Sequence, residues 1–164
     1  MVILGIDPGT TLIGFGVIEK SKNGLGFVDY GVIKTKGNNI EKLKTIDQEI
    51  QKILKEYKPE VAGIETLYFS KNQKTALLVA EARGVILTNL AKQNIKIMEF
   101  DPTNVKATVA GYGRSDKLGI KRAVELTLKC GELKKEDDAI DALAIALRVS
   151  FERGVNKGVD ILKT

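Results

Sequence analysis

A chain of 164 residues, 43% apolar and 29% charged, fits one globular domain with enough interior for a full core. It has no histidine and one cysteine, Cys130, which excludes Ser–His and Cys–His nucleophile pairs, imidazole bases, His-ligated or multi-cysteine zinc and any intramolecular disulfide. The formal charge of +5 favours a polyanionic partner, although lysine-rich solubility or thermophilic adaptation also raises the lysine count.

The first three strand candidates lie close together. Val2-Ile3-Leu4-Gly5-Ile6-Asp7 is a β-branched run stopped by Pro8-Gly9, and 13–19 and 26–35 follow across turn-forming segments, which predicts an antiparallel meander. Asn39 precedes an amphipathic helix with Ile40, Leu43, Ile46, Ile50, Ile53, Leu54 and Tyr57 on one stripe, ending before Pro59. Val61 to Glu65 is a fourth strand, 72–93 a long helix and Lys96 to Phe100 a fifth strand.

The last third is helical. Pro102 opens a short helix to about Ala110, Gly111-Tyr112-Gly113 breaks it, and Ser115 or Asp116 caps another that ends near Cys130-Gly131. A final helix starts near Glu136 and carries its apolar face through Leu147. Cys130 is expected as a small core residue. The order βββαβαβααα predicts an α/β fold: a mixed five-stranded sheet with helices on both faces, in one domain over 1–153, with 154–164 as a flexible tail. No apolar stretch is long enough to span a bilayer, and the N-terminus lacks a signal-peptide pattern, so a cytoplasmic location with no membrane partner is expected.

Asp7 ends an apolar strand, where desolvating a lone carboxylate is costly. Hydrogen bonds from its own turn, a cation or a metal would each compensate it. Glu65 repeats the pattern at the end of the fourth strand, and ligands of open α/β sheets bind beyond the carboxyl ends of parallel strands. If those two strands are parallel neighbours, the acids are adjacent and each raises the other's pKa unless a cation intervenes. Asp141 is the only charge in Ala139-Ile140-Asp141-Ala142-Leu143-Ala144-Ile145-Ala146-Leu147. Asp138 shares its face at i and i+3, and Asp137 at i and i+4 is the alternative, while either acid also suits simple dipole compensation in a first turn. Without histidine, hard oxygen ligands point to Mg²⁺ or Mn²⁺, and four acids from two strand ends and a helix suit two-metal phosphoryl transfer.

Gly5-Ile6-Asp7-Pro8-Gly9, Ile64-Glu65 and Asp138-Ala139-Ile140-Asp141-Ala142-Leu143-Ala144-Ile145-Ala146, in this order and spacing, resemble the RuvC family of bacterial Holliday-junction resolvases. The resemblance covers roughly 2–150 and includes Ser70-Lys71-Asn72, Glu81-Ala82-Arg83-Gly84-Val85 and Val105-Lys106-Ala107-Thr108-Val109-Ala110-Gly111. It implies an RNase H-like domain, a homodimer, and Mg²⁺- or Mn²⁺-dependent paired nicking of four-way junction DNA, in partnership with a RuvA–RuvB branch-migration complex. By position it makes Asp7, Glu65, Asp138 and Asp141 catalytic ligands of two metal ions, although some members carry histidine where Asp138 stands.

The resemblance also gives Lys106 and Lys117 a catalytic role near the scissile phosphate, where a point charge can steady developing negative charge. Lys117 falls in a helix's first turn, where a cation opposes the dipole. Lys71, Arg114 and Lys121 extend the expected DNA-binding surface, though any of these lysines also reads as ordinary surface charge. Tyr68-Phe69, just after Glu65, can stack on or wedge between bases, or cap the core. Helix 72–93 carries more apolar surface than one core stripe requires. A two-fold dimer across it, with close approach at Gly84, or burial as a central helix would cover it.

Three other readings compete. Asp7-Pro8-Gly9-Thr10-Thr11 resembles the phosphate loop of actin-like ATPases, the YqgF family shares the first-strand motif but is connected with ribosomal RNA processing, and a basic DNA-binding domain would use its acids structurally.

Overall fold

The computed structural model describes residues 1–67, 73–111, 116–134 and 136–152. Ten elements follow in order: β1 (Val2–Asp7), β2 (Leu12–Ser21), β3 (Gly24–Lys34), α1 (Asn39–Tyr57), β4 (Val61–Glu65), α2 (Gln73–Lys92), β5 (Lys96–Phe100), α3 (Pro102–Ala110), α4 (Lys117–Leu128) and α5 (Asp137–Ser150). The sheet order is β3-β2-β1-β4-β5. β1 to β3 form the antiparallel meander, while β4 lies parallel to β1 and β5 parallel to β4. The carboxyl ends of β1, β4 and β5 therefore share one edge. No helix among the described residues is long and apolar enough to cross a membrane.

Boundaries differ from the sequence expectation where capping decides them. Asn38, not Asn39, caps α1: its side chain accepts from the Glu41 amide while the Glu41 carboxylate accepts from the Asn38 amide, a reciprocal capping box. Asp116 caps α4 through the Gly119 amide at 2.7 Å. That helix stops at Leu128, short of Cys130-Gly131, because Lys129 turns left-handed at φ 50°. Cys130 is half-buried at the margin of the core rather than inside it.

The sheet separates two apolar layers. Leu4 and Ile6 of β1 pack with Ile13, Val17, Ile46, Ile50, Ile86 and Leu90 under α1 and α2, whereas Ile3 joins Val124, Leu143, Ile145 and Leu147 under α4 and α5. The two-residue period of β1 therefore turns Ile3, Gly5 and Asp7 toward α5, and that of β4 turns Val61, Gly63 and Glu65 the same way. Both strand-end acids face one helix.

That helix sits unusually deep. Gly16, Gly5 and Gly63 are neighbours across β2, β1 and β4, leaving a furrow without side chains for α5 to fill. A Cβ at Gly5 would overlap the Ala142 carbonyl oxygen and lie 2.6 Å from the Ala146 nitrogen, and one at Gly16 would lie 2.6 Å from the Leu143 nitrogen. These neighbours are backbone, so only movement of α5 would relieve them. Gly5→Ala is expected to cost about 3 kcal/mol or more, a fall of roughly 10 °C in thermal midpoint. Gly26→Ala, where the nearest atom would be 3.9 Å away, is the control and should shift the midpoint far less. Equal midpoints for the two variants would refute the furrow's role.

Candidate active site

The parallel pairing of β1 with β4 brings Asp7 and Glu65 to the same edge, and the depth of α5 brings Asp141 into the same cleft. These three acids and Lys106 of α3 line a cleft of about 230 Å³, closed by Pro102, Val105 and Ile120. Asp141 also lines an adjoining cleft of about 230 Å³ with Lys117, Lys121 and Asp137. The two clefts are thus joined at one carboxylate. A larger groove of about 700 Å³ between α1 and α2, lined by Lys55, Lys58, Lys92 and Asn89, contains none of the acids.

The electrostatics of the first cleft are unfavourable for anions. Burial, then the charges of Glu65, Asp141 and Asp138, push the Asp7 pKa from 3.8 up to about 8, with Lys117 partly opposing them. Glu65 is raised by burial and by Asp141, against the pull of Lys106. Asp141 is raised by burial and by Asp137 and Asp138, against Lys117 and Lys106. Three half-buried carboxyl groups, each pushed toward protonation, thus line one cleft, and carboxylate oxygens are the donors that a hard divalent cation takes. Among the described residues, no three acid side chains stand close enough together to enclose one ion as they are placed.

The remaining predicted residues divide clearly. Asp138 is half-buried and acts on Asp7 through its charge, but it lines neither cleft. Asp137 is held by Lys117 at 2.7 Å, an exposed pair, and that hydrogen bond pushes the Lys117 pKa up. Lys121 lies 3.9 Å from Glu125, one turn along α4. Tyr68, Phe69, Lys71 and Arg114 lie outside the described residues.

The support beneath Lys106 was not visible in the sequence. Asp101 accepts from the Thr103 and Asn104 amides and starts α3 at Pro102. Arg148 of α5 donates to Asn104 Oδ1 at 2.6 Å and lies 4.5 Å from the centre of the Phe100 ring, tying α3 to α5 and the end of β5.

Residues 3–148 match the family model for crossover junction endodeoxyribonuclease RuvC. The chain belongs to the RuvC family. It is 49% identical over 148 residues to the RuvC of Petrotoga mobilis, covering 89% of this chain and 91% of that relative. With Thermosipho melanesiensis RuvC the identity is 42% over 154 residues, covering 93% and 98%. Thermus thermophilus RuvC, solved in complex with Holliday junction substrate, aligns with a TM-score of 0.85 at 29% identity over 92% of this chain and 93% of that one. The fold is accordingly the RNase H-like fold of RuvC. RuvC membership decides against the YqgF-like and actin-like readings of the first-strand motif.

Proposed function

We propose that this chain is a crossover junction endodeoxyribonuclease that nicks four-way DNA junctions in symmetrical pairs, acting as a homodimer with Mg²⁺ or Mn²⁺. The observation that carries the reading is the cleft itself: Asp7, Glu65 and Asp141, each pushed toward protonation, line it together with Lys106. Mutual repulsion of this kind is relieved by a divalent cation. Asp7, Glu65 and Asp141 would hold the metal, with Asp138 as the fourth acid, because its charge, unlike that of Asp137, acts on Asp7. Side-chain rotation would be needed to close the acids around it, and two ions are the expected complement.

When bound, the metal supplies a nucleophilic water at neutral pH and Lewis-acid polarisation of the scissile phosphodiester. Lys106, exposed beside the acids, can contact a phosphate entering the cleft and offset its charge. Lys117 can reach the same strand from the adjoining cleft once it leaves Asp137. Tyr68, Phe69, Lys71, Arg114 and Lys121 would extend the DNA contact.

Two cuts in one junction require two sites on one particle. The outward side of α2 suits a two-fold contact: Leu77 is 59% exposed and Gly84 has open space around it, while Ala82, Ile86 and Leu90 already face the core. Coupling to a RuvA–RuvB complex rests on family membership alone.

The test is a labelled four-way junction beside a linear duplex of matching sequence, with and without Mg²⁺. Metal-dependent cuts at symmetrical positions in the junction, with the duplex intact, are expected. Cleavage of both DNAs alike, or of neither, would overturn the proposal.

A further inference from the structure

Arg83 lies on α2, its side chain 15% exposed, and reaches the ends of two strands at once. Its Nε donates to the backbone carbonyl of Glu65 at 3.3 Å, and its Nη2 lies 2.6 Å from Glu99 Oε2 on β5. Nη2 is buried and lacks an aligned hydrogen bond among the described residues, so the Glu99 contact acts through charge rather than a directed N–H. Glu99 stands opposite Ile64 and Phe100 opposite Glu65 in the β4–β5 pairing, and the Thr66 amide donates to the Phe100 carbonyl at 2.9 Å. Arg83 thus grips the last pair of rungs before the chain leaves the sheet. It does not line the acid cleft.

Burying a guanidinium is unfavourable unless its charge is met; here Glu99 meets the charge, and the Nε–H is taken up by the peptide carbonyl of the very residue that carries a cleft carboxylate. Holding the Glu65 carbonyl fixes the peptide plane at the strand end, and with it the direction in which the Glu65 side chain leaves the backbone. A planar, many-donor fork can reach the carbonyl and Glu99 together, which a single lysine ammonium cannot.

We infer that Arg83 is a positioning residue, clamping the end of β4 so that Glu65 presents its carboxylate to the metal. This rests on the metal-site reading given above. The same side chain also links α2, the helix proposed for the dimer contact, to that acid.

The test compares wild type with Arg83→Gln, Arg83→Lys and Glu99→Gln. The readouts are Mn²⁺ titration calorimetry without DNA, junction binding without divalent ions, and single-turnover cleavage against Mg²⁺ concentration. Arg83→Gln should weaken Mn²⁺ binding and raise the Mg²⁺ needed for half-maximal cleavage by about 10–100-fold, the usual range for a partner that orients a metal ligand. Cleavage should recover at high Mg²⁺, and ion-free junction binding should be unchanged. Glu99→Gln should have a smaller effect, because Glu99 is 48% exposed and the Glu65 bond survives.

Arg83→Lys keeps a cation beside Glu99 and should lose part of the affinity; it carries the test if Arg83→Gln does not fold. Folded variants with wild-type Mn²⁺ affinity would overturn the clamp and leave the nuclease reading standing. A wild-type protein that neither binds Mn²⁺ nor cuts the junction would instead overturn the reading on which the clamp rests.

Discussion

Asp7→Asn is expected to leave the protein more stable and catalytically inert. In the folded state the Asp7 pKa stands at about 8 against an ordinary 3.8, so the folded chain keeps a proton that the unfolded chain releases. Its contribution to stability is complete below the ordinary pKa, is lost progressively as pH rises, and is fully lost above about 8. The shift corresponds to a penalty on the order of several kcal/mol at alkaline pH. Asparagine fills the same space without a charge. In EDTA the melting temperatures of the two proteins should therefore be close near pH 4–5, and the variant should melt several degrees higher at pH 9. Cleavage should fall by about 10³-fold or more, the scale of losing a group that acts directly on transition-state charge, while junction binding persists. A variant that cuts within tenfold of wild type, or melts lower at pH 9, would remove Asp7 from the centre of the site. The opposite signs are informative because an acid serving only to cap its own turn would lose stability on neutralisation.

Periodicity made much of this arrangement legible. Short β-branched runs ending in acids located β1 and β4, and the single charge within 139–147 marked α5 as packed around Asp141. The order of elements gave the mixed sheet, and the family resemblance indicated which acids belong together. Other features depend on register, which no local pattern reveals. Gly5, Gly16 and Gly63 read separately as weak points in strands, and only their alignment across three strands shows the furrow that seats α5. Arg83 and Arg148 look like ordinary helix charges until topology brings Glu65, Glu99 and Asn104 within their reach. The Lys117–Asp137 pair joins the first turns of α4 and α5, a contact that spacing within either helix does not show. Asn38 is different, because its capping partner Glu41 lies only three residues ahead in the sequence.

Affinity for Mn²⁺ or Mg²⁺ should climb steeply as pH rises from 6 to 8. An ion can use Asp7 as a ligand only after displacing the proton that burial and neighbouring acids hold there up to about pH 8. Below that value each displaced proton weakens apparent binding by about tenfold per pH unit, so two units correspond to roughly a hundredfold. Glu65 and Asp141 are shifted in the same direction, so neither opposes the slope. The reverse linkage must also hold: metal binding should release protons, seen as a dependence of calorimetric heat on the ionisation enthalpy of the buffer. Cleavage at limiting Mg²⁺ should follow the same rise with pH, and saturating Mg²⁺ should flatten it, because the bound cation then holds Asp7 ionised. Asp7→Asn should lose about one proton from the release, which assigns that proton to Asp7. Flat affinity between pH 6 and 8, or binding without proton release, would mean that the metal does not meet these carboxyl groups.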